Sequence, residues 1–89
     1  MDITLRIFKA VANEKRIRLI RLLHKKGRMS LREISDTMDI PEATACRNLK
    51  ILEHVGFIKS EIRNAIADYW INADKHAVIN QQVLKIITT

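Results

Sequence analysis

The side chains best placed to do chemistry in this sequence are cations at helical spacing. Over residues 42–55, Ala45, Leu49 and Leu52 recur at i, i+4 and i+7, which gives the segment one inward face. At about 100° per residue, Ala43, Cys46, Arg47, Lys50 and His54 project the other way. The ridge they form is small at its N-terminal end and basic beyond it. The major groove of double-stranded DNA, about 12 Å wide, admits one helix, whose first residues reach the base edges. Small side chains let such a helix sink, and Arg47 can fork onto a guanine or hold a phosphate. Further cations lie outside the ridge. Lys15, Arg16, Arg18, Arg21, Lys25, Lys26 and Arg28 occur with no acid among residues 15–28, some expected on phosphates and others on a solvated face. Ser30 and Thr44 near helix starts can donate to phosphates, although Ser30 is expected first of all to cap a helix. Lys59 and Arg63 fall on an expected hairpin that would touch the DNA backbone or minor groove.

Other chemistries fit less well. The one cysteine, Cys46, excludes an intramolecular disulfide and a multi-cysteine zinc knuckle. Its oxidation would set negative charge against phosphate, while its plain role is a small side chain at a close contact. With only Gly27 and Gly56, no glycine-rich phosphate loop can form. His24, His54 and His76 lie on different segments, and no nucleophile–base–acid set or carboxylate pair is evident. An enzyme is the poorest fit, and no cofactor is expected. The rival class is a protein-interaction module with an apolar or acidic ridge, for which Trp70 could serve as an exposed anchor. Basic Arg47 and Lys50 argue against it.

The elements that must hold these residues follow from the rest of the chain. Its 89 residues suit one small domain spanning 1–89, and 47% hydrophobic with 29% charged residues is a globular balance. Residues 1–63 carry 14 basic and 8 acidic side chains, so the whole net charge of +6 lies there and a polyanion is the natural partner. No apolar run approaches the roughly 18 residues of a membrane span, and Met1-Asp2-Ile3 lacks a signal-peptide layout. A cytoplasmic protein with no membrane partner is expected.

Periodicity predicts a helix over residues 2–12 and another over 14–26, the second capped by Asn13 and ended by Gly27. Ser30 and Glu33 have capping-box spacing for a short third helix. Asp39-Ile40 forms a tight turn, and Pro41 opens the 42–55 helix, which Gly56 closes. Phe57–Ile62 and Ile66–Ile71 are β-branched and aromatic runs around Arg63-Asn64-Ala65, where Asn64 can supply a positive φ. Helical spacing returns over 73–88. The fold class is mainly α with a small β-hairpin: a winged helix-turn-helix of five helices plus a two-stranded wing. The helix-turn-helix spans about 30–55 and the wing about 57–71. Apolar residues cover more than one face of the terminal helices, 2–12 and 73–88. Ile3, Leu5, Phe8, Val78, Ile79, Val83 and Ile86 are therefore expected to pack a second copy.

Phe8-Lys9-Ala10-Val11-Ala12-Asn13-Glu14-Lys15-Arg16-Ile17-Arg18 resembles the opening helix junction of the ArsR-type winged-helix repressors. Ile40-Pro41-Glu42-Ala43-Thr44-Ala45-Cys46-Arg47-Asn48-Leu49-Lys50-Ile51-Leu52 resembles their recognition helix, and Gly56-Phe57-Ile58 their entry to the wing. The similarity covers nearly the whole chain. It implies a homodimer built from the first and last helices that represses promoters at imperfect inverted repeats, with Glu42, Ala43, Thr44, Cys46 and Arg47 as DNA-reading positions. The chain departs from the family in having Cys46 for a common Ser and Asn48 for a common His. It also has Asn64-Ala65 for a common Gly-Arg, so a wing arginine contact shifts to Arg63. Residues 30–38 contain no cysteine for one family metal site. Asp74-Lys75-His76 matches the start of another, but residues 77–89 offer no His, Cys, Asp or Glu to complete it. No metal is expected unless Asp74 and His76 meet their symmetry mates across a dimer. The alternatives within this class are a repressor responsive to Cys46 oxidation or to metal at Asp74 and His76, and the effector is unknown.

Overall fold

The computed structural model describes residues 2–89. Helix α1 (Ile3–Val11) starts where Asp2 Oδ1 accepts from the Thr4 amide at 2.9 Å. Helix α2 (Glu14–Lys26) starts where Asn13 Oδ1 accepts from the Arg16 amide at 3.2 Å, and it stops at Gly27 with φ +80°. Strand β1 (Met29–Ser30) leads directly into α3 (Leu31–Met38). The capping box forms as its spacing predicts: the Glu33 amide donates to Ser30 Oγ at 3.1 Å, and the Ser30 amide to Glu33 Oε1 at 2.9 Å. Asp39 takes the left-handed conformation, φ 55° and ψ 50°, and Ser35 Oγ bonds the Ile40 carbonyl across the turn. Pro41 then takes the N-cap position of α4 (Glu42–His54) with no side-chain cap, and its carbonyl accepts from the Ala45 amide at 3.0 Å.

Strands β2 (Ile58–Arg63) and β3 (Ile66–Ile71) form the wing, and α5 (Val78–Thr88) completes the chain. These five helices and the antiparallel hairpin make the winged helix-turn-helix that the periodicity predicts. The strand link is shorter than expected. Arg63 pairs with Ile66, which leaves only Asn64-Ala65 at the tip, with φ 53° and 65°. Two consecutive positive φ values give the two-residue turn whose twist matches paired strands. Strand β1 was not expected at all. Its residues Met29 and Ser30 pair with Tyr69 and Asp68, so the sheet has three strands in the order β1-β3-β2. Two residues are too few to show a period, and Ser30 already has a sufficient role as a cap.

Leu19, Ile20, Leu23, Ile34, Leu49, Leu52, Phe57 and Ile58 are completely enclosed between the helices and the sheet. The last helix needs two corrections. It begins at Val78 and not at residue 73, because residues before it form a turn in which Asp74 Oδ1 accepts from the His76 amide at 2.9 Å and the Asp74 carbonyl from the Ala77 amide at 3.0 Å. Val83, expected on a face for a second copy, is 5% exposed and belongs to the chain's own core, and Ile79 is half-buried against it. Among the described residues no helix is long and apolar enough to cross a membrane.

Candidate nucleic-acid interface

Helix α4 is set by a polar clamp that joins three helices. Arg16 Nε donates to the Ala10 carbonyl at the end of α1, and Arg16 Nη1 donates to Asn48 Oδ1 at 3.0 Å. Asn48 is buried on α4, where its Nδ2 donates in turn to the Thr44 carbonyl at 3.0 Å. Every polar atom of the Asn48 amide is thereby used, which removes the cost of burying it. With Ala45, Asn48, Leu49 and Leu52 turned inward, Glu42, Ala43, Arg47 and Lys50 stand exposed on the opposite side. Thr44 and Cys46 are half-buried at its edges.

Cys46 and His54 are less free than the ridge pattern predicts. Tyr69 is buried on β3 beside Cys46 and Glu53; burial pushes its hydroxyl above the ordinary tyrosine range, and the two neighbours add to the effect. Cys46 and Glu53 are seven residues apart, two helical turns, so their common side facing the wing is itself a sequence signal. His54 Nε2 lies 3.0 Å from Arg6 Nη2. A guanidinium has donors only, so the imidazole nitrogen is the acceptor, and the contact ties the far end of α4 to α1.

The seven cations of residues 15–28 divide by role. Arg16 holds the clamp. Arg21 Nε donates to the Ile87 carbonyl at 2.9 Å, which caps the last turn of α5. Arg28 bonds Asp68 at 3.0 Å and also Glu61, and its guanidinium lies 4.5 Å above the Trp70 ring. It therefore braces the wing instead of reaching outward, and Trp70 is covered, not presented as an anchor. Lys15, Arg18, Lys25 and Lys26 are exposed. On the wing, Lys59 is exposed opposite Trp70 in the ladder, and Arg63 at the tip lies 3.2 Å from Glu61. The hydrogen bond from Arg28, then the charge of Arg63, holds the Glu61 carboxyl below its ordinary value.

Ser30 Oγ accepts from the Glu33 amide at 3.1 Å, the capping role expected of it first. Asp74 and His76 stand exposed on the turn before α5. The Asp74 carboxylate is turned back onto the His76 amide, and among the described residues no three His, Cys, Asp or Glu side chains gather to hold an ion.

A family profile described as a helix-turn-helix domain matches residues 11–61. The chain is 30% identical over 69 residues to an uncharacterized HTH-type transcriptional regulator of Methanocaldococcus jannaschii, a match covering 78% of each chain. Among solved structures, a possible transcriptional regulatory protein from Mycobacterium bovis is similar at a TM-score of 0.78 and 24% identity, covering 99% of this chain and 94% of that one. HlyU from Vibrio cholerae is similar at a TM-score of 0.76 and 17% identity, covering 94% and 90%. The two structures match in fold, while the profile and the archaeal relative carry the family. With α4 tied to α1 and α2 by Arg16, a basic exposed ridge on α4 and a hairpin wing braced by Arg28, the chain belongs to the helix-turn-helix transcriptional regulators of the ArsR type.

Proposed function

We propose that this regulator is a homodimeric repressor that places α4 in the major groove of an inverted-repeat operator. The supporting observation is the exposed ridge of α4, on which Arg47 and Lys50 have no ion-pair partner among the described residues. Glu42, Ala43, Thr44, Cys46 and Arg47 face the base edges in this reading. Lys50 and Ser30 hold flanking phosphates, and Lys59 with Arg63 carries the wing onto the backbone or minor groove. Glu42 accepts from a cytosine amino group or stays outside the groove. The second subunit packs on the terminal helices, where Ile3, Leu5, Phe8, Val78 and Ile86 are 48–74% exposed. The whole of residues 1–89 acts as one DNA-binding unit in the cytoplasm, and repression follows from occupying promoter DNA.

Selection of fragments from a random duplex pool tests this reading. The expected outcome is an enriched inverted repeat with half-site centres about 34 Å apart, one turn of DNA. A pool with no enriched sequence would remove the operator-binding role.

A further inference from the structure

Helices α1 and α4 run side by side from the Arg16 clamp to the Arg6–His54 contact, and between them lies an open groove of about 920 Å³. That volume falls within the range of small-molecule sites, roughly 300–1,000 Å³. Arg6 and Lys9 line one bank and Arg47 and Lys50 the other, and no carboxylate lines it. The floor is apolar: Ala10 on α1 is small enough to leave the space open, and Ile51 and Val55 form the wall on α4. Ile51 is 37% exposed, an apolar side chain on the groove side of α4 that also carries Arg47, Lys50 and His54.

A DNA backbone would use the cations of this groove and leave its floor unused. The pairing of an apolar floor with four cationic rims fits a ligand that is itself divided in that way. We propose that the α1–α4 groove binds an amphipathic organic anion, a carboxylate or sulfonate on an apolar body. The anionic group bridges the two banks, and the body lies on Ile51 and Val55. Arg6 gives one donor to His54 and keeps the others for the ligand. Phe8 lies about 100° or more around α1 from Arg6, Lys9 and Ala10, so contact of a second subunit with Phe8 does not use the groove. Such a ligand occupies Arg47 and Lys50 and displaces DNA; this regulatory consequence rests on the DNA-binding reading above, whereas the site itself does not.

The test is a titration of the full chain, followed by amide NMR, with 8-anilinonaphthalene-1-sulfonate and with its uncharged analogue N-phenyl-1-naphthylamine. The sulfonate is expected to move the signals of Ala10, Ala43 and Ile51, and the uncharged analogue to bind about tenfold more weakly. Lys9→Gln and Ile51→Gln are each expected to weaken the sulfonate by about fivefold or more, the first on an exposed side chain that the fold does not need. Equal binding of both probes, or shifts confined to the Phe8 and Ile86 faces, overturns the site. If DNA binds and the sulfonate does not, the groove serves the DNA backbone alone and the proposal fails. If the sulfonate binds as described and no duplex binds, the DNA-binding reading fails and the groove stands.

Discussion

Ala65 shows how tightly single positions are constrained. It occupies the second tip position of the wing at φ 65°, where a Cβ crowds the following carbonyl at a cost of about 1 kcal/mol. Ala65→Gly is expected to stabilise the protein by about 0.5 kcal/mol, the relief of strain being offset in part by the freer unfolded chain. The urea midpoint should rise with an unchanged slope; a lower midpoint would mean that the tip is not a two-residue turn. The residue-level features that the sequence reveals are local ones. Asn13, the Ser30–Glu33 box, Asp39 and Asn64 each act within a few positions of themselves, so their types and spacing suffice. Arg16 and Asn48 are 32 residues apart, and Arg28 and Asp68 are 40 apart. Nothing in a linear pattern separates such structural arginines from those that remain exposed. Cys46 was placed on the correct helix, yet its contact with Tyr69 depends on how the wing lies.

The elements are held in register by these same arginines. Arg16→Met should cost about 1–3 kcal/mol, because it leaves the Asn48 carbonyl oxygen buried without a donor. Urea unfolding measures the loss, and the variant should also bind DNA less well, because α4 loses its tie to α1 and α2. The wing root is expected to depend on pH. The Glu61 carboxyl is held below its ordinary 4.5 by Arg28, so its stabilising contact is complete above that value and is lost as pH falls through the lower folded value. Trp70, the one tryptophan, reports on this directly. Its emission should change below pH 4.5, and the change should be absent in Glu61→Gln. An unaltered transition in that variant would detach the wing brace from Glu61. Helix order, the capping residues and the hairpin follow from hydrophobic period and turn chemistry. The start of α5 does not, because Asp74 diverts the chain into a turn while the apolar spacing continues past it, and β1 is too short to show any spacing.

The whole molecule is asymmetric in charge and in exposed apolar surface, and both asymmetries bear on assembly. Val83 and Ile86 lie three residues apart on α5 but are 5% and 74% exposed. Val83→Ala should destabilise the fold by about 2 kcal/mol at every protein concentration. Ile86→Lys should leave the fold intact and shift sedimentation toward the monomer, and an unshifted profile would move the subunit contact elsewhere. The net charge of the first 63 residues was visible from composition, but the division between bracing and free cations appears only in three dimensions. The most direct measurement is the affinity of the wild type, Arg47→Ala and Lys50→Ala for a selected duplex across a salt series. Wild-type affinity should fall steeply with salt. Lys50→Ala should lower the logarithmic slope by about 0.9 on every sequence, and Arg47→Ala should cost about 1–3 kcal/mol while relaxing sequence preference. A flat salt dependence, or an Arg47→Ala protein that binds as tightly and selectively as the wild type, would contradict the placement of α4 in the groove.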